Sequence, residues 1–147
     1  MKRSRIGFLL GFLIFSLVPC FAHHMAVVVN KGNSVAEVSA AHLSKIFRLE
    51  VKKWQDGRDI VLVLHKESSG ELLTLEHLNH MSDNELKSFI SSHQEAFTTV
   101  DSDADVLHLV ETTPGALGLV DVRSINDQVN VLRVGGKLPM EDGYLPH

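Results

Sequence analysis

Residues 26–64 read AVVVNKGNSVAEVSAAHLSKIFRLEVKKWQDGRDIVLVL, and the order of patterns in this stretch decides the fold class. Ala26-Val27-Val28-Val29 is a short β-branched run closed by Asn30-Lys31-Gly32-Asn33, which reads as a fully buried strand followed by a turn. Ser39 can cap a helix, because its hydroxyl can accept a bond from a first-turn N–H group, and Ala40, Leu43, Ile46 and Phe47 then recur on one helical face. Trp54 to Gly57 ends in an Asp-Gly turn, and Ile60-Val61-Leu62-Val63-Leu64 is again an apolar run of strand length. Strand, helix and strand in succession predict a parallel pair in an α/β sheet.

Toward the C-terminus the second strand feeds Ser68-Ser69-Gly70 and a helix carrying Leu72, Leu73, Leu75 and Leu78. A strand that turns into a helix this way leaves backbone N–H groups free at the edge of the sheet. The same residues also read as a plain turn and helix cap without a ligand. Ser82-Asp83-Asn84-Glu85 is a capping box ahead of Leu86, Phe89 and Ile90, so a further helix starts after a break near Met81. Ser102 with Asp105 opens another, carrying Val106, Leu107, Leu109 and Val110, and Thr113-Pro114-Gly115 stops it. Leu117 to Val122 and Val129 to Val134 are two more strand-length runs, the latter closed by Gly135-Gly136, and Met140 to His147 reads as a loose tail. These strand and helix candidates together predict a small α/β domain.

Toward the N-terminus, Lys2, Arg3 and Arg5 precede an apolar run from Ile6 to Val18, and Cys20-Phe21-Ala22 supplies the small-x-small cleavage pattern. Residues 1–22 are therefore expected to be a secretory signal peptide and residues 23–147 the folded domain, placed in a bacterial periplasm. The alternative is a lipoprotein anchored through Cys20, since Leu17-Val18-Pro19-Cys20 is a degenerate lipoprotein box with Pro19 at a position that normally holds a small residue. The chain of 147 residues has 14 Lys and Arg against 18 Asp and Glu, and the basic residues of the signal leave with it. Such a balance argues against nucleic acid as a partner. Cys20 is the only cysteine, so no disulfide is expected in the domain.

Four blocks, Ala26-Val27-Val28-Val29-Asn30, Leu43-Ser44-Lys45-Ile46-Phe47, Lys52-Lys53-Trp54-Gln55-Asp56-Gly57 and Thr113-Pro114-Gly115-Ala116-Leu117-Gly118-Leu119-Val120, resemble successive landmarks of phosphate-transporter substrate-binding proteins. The resemblance implies a three-layer α/β sandwich with a mainly parallel sheet, like one lobe of a type 2 periplasmic binding protein, and is similar to short single-lobe relatives. In full-length members the second lobe contributes an Arg at a strand end and a Ser-Gly-Thr turn at a helix start. The matching positions here are His65, Ser69, Gly70 and Glu71, with Ser68, Lys66 and Thr74 beside them. A desolvated oxyanion needs backbone N–H donors, hydroxyls and a cation. His65 offers a hydrogen bond where the family has an Arg, Lys66 can supply the positive charge, and Glu71 is expected to bring a carboxylate close to the ligand.

The resemblance implies a non-enzymatic solute-binding domain whose partners are a small oxyanion such as phosphate, an inner-membrane transporter or a second copy of the chain, with no cofactor. The competing reading is a periplasmic accessory domain that binds protein rather than a small molecule. No Gly-x-Ser-x-Gly elbow, phosphate-loop motif or dinucleotide glycine pattern occurs, and a Ser/His/Asp set drawn from Ser69, His65 and Asp121 has no spacing to recommend it. Two histidine pairs, His77 with His80 and His23 with His24, lack the companion ligands of a zinc or copper motif.

Overall fold

The computed structural model describes residues 24–146, so the expected signal peptide and Cys20 lie outside the described residues. In chain order the elements are β1 (Met25–Asn30), β2 (Glu37–Val38), α1 (Ala40–Phe47), β3 (Val61–His65), α2 (Ser69–Asn79), α3 (Asp83–Ser92), β4 (Phe97–Val100), α4 (Asp103–Thr112), β5 (Ala116–Asp121), β6 (Val129–Val131) and β7 (Arg133–Val134).

The helix starts follow local chemistry. Ser39 Oγ accepts the His42 N–H at 3.0 Å, Ser82 and Glu85 close a reciprocal capping box, and Ser102 Oγ accepts the Asp105 N–H at 3.1 Å. Helix α2 ends where His80 turns left-handed at φ 53°, which breaks it from α3 beside Met81.

The main sheet has the order β4-β3-β5-β1-β6, and β2 pairs with β7 in a small second sheet. Strand β3 runs parallel to β4 and β5, whereas β1 runs antiparallel to both β5 and β6. Four of the five strands therefore share a direction and β1 alone opposes them. The parallel pair predicted for the two strands of residues 26–64 does not form, because β5 lies between them and β1 points the other way. Periodicity identifies strands but carries no information on which edges meet.

Side chains of β1 alternate between two cores, as a strand buried on both faces requires. Val27 and Val29 join Leu43, Ile46, Leu75, Leu78 and Leu86 of α1–α3 on one face, and Val28 joins Val106, Leu107 and Val110 of α4 on the other. The result is a three-layer sandwich with α1–α3 on one side and α4 on the other. Leu73, counted in the apolar stripe of α2, faces outward. Trp54 is buried and its Nε1 donates to the Gly115 carbonyl at 2.9 Å. Gly115 holds φ 83° with the Asp59 carbonyl oxygen 2.2 Å from where a Cβ would stand, so only glycine fits this reversal.

Three local readings change. The run Val129–Val134 divides at Leu132, whose N–H donates to Val27 O at 2.9 Å; its two halves join different sheets. Strand β4 is an edge strand with two exposed threonines, and it lacks the apolar run that marked the others. The loose tail is not loose, for Tyr144 and Leu145 are buried at 3% and 4% exposure. Tyr144 Oη accepts the Val27 N–H at 3.1 Å and donates to Leu132 O at 2.6 Å, pinning the tail across β1.

Candidate functional site

Strand β3 delivers His65 to the end of the sheet from which α2 starts. Lys66 N–H donates to Val100 O at 2.7 Å, Ser68 N–H donates to His65 O at 3.2 Å, and Glu67 between them sits at φ 67°, a conformation rarely held by a residue with a side chain. Ser68 caps α2: its Oγ accepts the Glu71 N–H at 3.3 Å and its carbonyl accepts the Leu72 N–H at 3.0 Å. The Ser69 and Gly70 N–H groups take no acceptor among the described residues, as expected for the first turn of a helix. Ser69 is exposed and Gly70 buried. Thr74 is buried and spends its hydroxyl on Gly70 O at 2.8 Å, inside the helix rather than at the turn. Lys66 is exposed beside the turn.

A second helix start converges on the same strand end. Asp103, in the first turn of α4, places Oδ1 2.8 Å from His65 Nδ1, while its Oδ2 accepts the Asp121 N–H at 3.0 Å and the Ser124 hydroxyl at 2.8 Å. One carboxylate thus ties together the ends of β3 and β5 and the turn after β5. Sequence reading passed over Asp103; the Ser102–Asp105 cap was the signal that placed it at a helix start. Of the Ser69, His65 and Asp121 set, the Asp121 carboxylate instead holds Arg123, at 2.9 Å from both Nε and Nη2.

Glu71 does not stand exposed at the ligand position. It is 1% exposed, its Oε2 accepts the His65 N–H at 2.9 Å, and its Oε1 is buried without a hydrogen-bond partner. Burial pushes its pKa well above the ordinary value; the His65 N–H offsets this in part, and the Asp103 charge adds to the rise. The expected repulsion is therefore weakened at its source, since the environment favours the uncharged acid. The histidine offered for the Arg position is likewise engaged, its ring held by Asp103.

Beside the turn a cavity of about 490 Å³ lies between β3, β4, α2 and α3, walled by Leu64, Leu72, Leu75 and Ile90 with His65, Lys66 and Glu71 at one end. Two larger open grooves, of about 710 and 680 Å³, flank Arg48 and His80 at the opposite end of α2; His77 lines the second. Among the described residues no three His, Cys, Asp or Glu side chains are grouped to hold a metal ion, and no helix is long and apolar enough to cross a membrane.

A family model described as a PBP superfamily domain matches residues 15–141. No curated protein matches the chain. Among solved structures, the chain is similar to an ABC-type phosphate transport receptor from Vibrio cholerae, with 22% identity and a TM-score of 0.67, over 79% of this chain and 48% of that one. It is also similar to a putative phosphate ABC transporter substrate-binding protein with bound phosphate from Clostridium perfringens, at 20% identity and a TM-score of 0.65, over 79% of this chain and 46% of that one. The PstS structure from Borrelia burgdorferi gives 20% identity and a TM-score of 0.59, over 79% and 49% of the two chains. The chain thus spans about half the length of the structures it matches, and at these identities the likeness is one of fold.

Proposed function

This chain belongs to the PBP superfamily domain family, and from that membership we propose that it is a non-enzymatic oxyanion-binding domain, with phosphate docking at the turn from β3 into α2. The observation that carries the reading is the pair of N–H groups at Ser69 and Gly70, which lack acceptors among the described residues and stand at the start of an 11-residue helix. Such groups, together with the positive end of the helix dipole, favour an anion. Ser69 adds an exposed hydroxyl, and Lys66 an exposed ammonium with no ion pair among the described residues. His65, steered by Asp103, contributes its second ring nitrogen. Ser68 shapes the turn as the cap, and Thr74 stiffens the first turn from within rather than touching the ligand. Two phosphate-binding relatives by name share the fold, which supports the choice of oxyanion.

Calorimetric titration of the purified protein with phosphate at neutral pH tests this. Saturable binding is expected, weakened roughly tenfold or more by Ser69→Ala, in keeping with about 1.5–3 kcal/mol for a hydrogen bond to a charged group. Absence of heat with millimolar phosphate and sulfate overturns it. The proposal extends to export: residues 1–22 act as a signal peptide and the domain works in the periplasm, delivering its ligand to an inner-membrane transporter. Mass measurement of the protein from fractionated cells, with a mature chain starting at His23, is the check.

One observation favours a second reading, an accessory domain that binds a protein. Ser68, Ser69 and Gly70 line neither the cavity beside the turn nor either of the two open grooves, so an anion at the turn is covered on one side only and something else must shield it for tight capture. A second copy of the chain or a protein partner would do so, and crosslinking in intact cells distinguishes them by the mass of the product.

A further inference from the structure

We propose that the free edge of β4 is an interface for a second copy of this chain, the two β4 strands pairing antiparallel about Thr99 so that the two main sheets join into one. The inference does not depend on the anion-binding reading of the turn.

Backbone bonding identifies the spare groups of this edge. Strand β4 ends the sheet order, with β3 on one side and no described strand on the other. Val100 O accepts the Lys66 N–H at 2.7 Å, so Val100 faces β3. Successive residues of a strand turn their N–H and C=O to alternate sides, so Thr98 also faces β3 while Phe97 and Thr99 face outward. Phe97 spends its N–H on Gln94 O, and the Asp101 N–H has no acceptor among the described residues. These leave the Phe97 carbonyl, both groups of Thr99 and the Asp101 N–H, two donors and two acceptors spaced symmetrically about Thr99. A two-fold axis at Thr99 sets every donor on an acceptor: Thr99 N–H meets Thr99 O of the second copy, and Asp101 N–H meets its Phe97 O, each bond made twice by symmetry. The match with a second copy is therefore built into the strand itself, and main-chain pairing along an open edge is a recognised mode of association.

The side chains agree. Strand β4 reads Phe97-Thr98-Thr99-Val100, all strand-forming types, and its unbroken register with β3 contains no bulge. It carries none of the charges or prolines that commonly guard an edge, whereas the opposite edge, β6, bends away at Leu132 into the second sheet. In the paired register the exposed Thr99 side chains lie across from each other, and Thr98 lies across from Val100, which is only half-buried in one copy. Charge does not oppose the register: Asp101 falls opposite Phe97, and the end that holds Lys66 meets the end that holds Glu95, both exposed and without an ion pair among the described residues.

Sedimentation of the purified protein over a range of concentrations, with amide exchange followed by NMR, tests this. A dimer is expected, with the Thr99 and Asp101 amides gaining protection as concentration rises. Thr99→Pro removes an N–H that the sheet itself does not use, and Thr99→Lys sets two like charges face to face across the axis. Each is expected to raise the dimer Kd roughly tenfold or more. Thr99→Lys decides the matter if the proline variant does not fold, and an unchanged circular dichroism spectrum shows that it has folded. A protein that stays monomeric at millimolar concentration overturns the inference and leaves the edge to a strand from another protein. A dimer that Thr99→Lys leaves intact also overturns it, since the copies then meet through another face.

Discussion

At Glu71 a single side chain shows how tertiary packing changes what a residue type means. Position 71 is one helical turn into α2, where a carboxylate near the positive end of the helix is ordinarily favourable and ionised. Here the side chain turns under β3, accepts the His65 N–H and is cut off from water. Its raised folded-state pKa means that the folded protein holds this proton more tightly than the unfolded chain, whose carboxyl titrates near 4.5. The stability so gained is complete below that value and is lost as pH rises toward the folded-state value, at no more than about 1.4 kcal/mol per pH unit. Glu71→Gln keeps an acceptor for His65 and cannot ionise, so denaturation series from pH 4.5 upward are expected to show the variant gaining on the wild type. Parallel curves would refute a shifted carboxyl. The Ser68–Gly70 turn was legible because a cap and its helix lie within four residues of each other. Asp103 was not, for it meets His65 across 38 positions of sequence, and no local pattern records that meeting.

Among the elements, the contact of α4 with β5 sets how closely a helix can lie on this sheet. Gly118, in the middle of β5, faces α4, and a Cβ there would stand 2.6 Å from Val106 Cγ1 and 3.5 Å from Val110 Cγ2. The missing side chain lets the helix settle against the strand, and Val28 and Val63 on neighbouring strands share the same core. Gly118→Ala forces the helix outward or Val106 into a poorer rotamer, at a cost of about 1–3 kcal/mol. A lower urea midpoint with an unchanged slope is the expected signature, and an unaltered midpoint would mean that α4 moves freely. The sequence block that contains Gly118 was part of the family resemblance, yet the reason for a glycine within a strand appears only when the helix is placed above it. Helix caps, by contrast, were readable in full: Ser39, Ser82 and Ser102 each accept the N–H of the residue three positions on.

For the molecule as a whole, the closing contact is Tyr144. Its phenol bridges Val27 of β1 and the Leu132 carbonyl between β6 and β7, so the last described residues seal the α1–α3 face. Tyr144→Phe leaves a buried N–H and a buried carbonyl without this partner and is expected to cost about 1–3 kcal/mol in denaturant titration. Burial also pushes the phenol up to about 12 from its ordinary 10.0. Being raised, it adds stability that is complete below pH 10.0 and drains as pH climbs through about 12; the Phe variant should lack this alkaline loss. Sequence by itself determined the helices and their caps, four of the five strands of the main sheet, the α/β class and the turn at Ser68–Gly70. Each of those depends on residues within a few positions of one another, where hydrophobic period and capping chemistry act. Only the tertiary structure decided that β1 runs against its neighbours, that Val129–Val134 divides between two sheets, that the tail is buried, and that Asp103 and Glu71 close around His65. Those outcomes depend on which surfaces meet across the chain, and the burial and pairing energies that select them are shared among residues far apart in sequence.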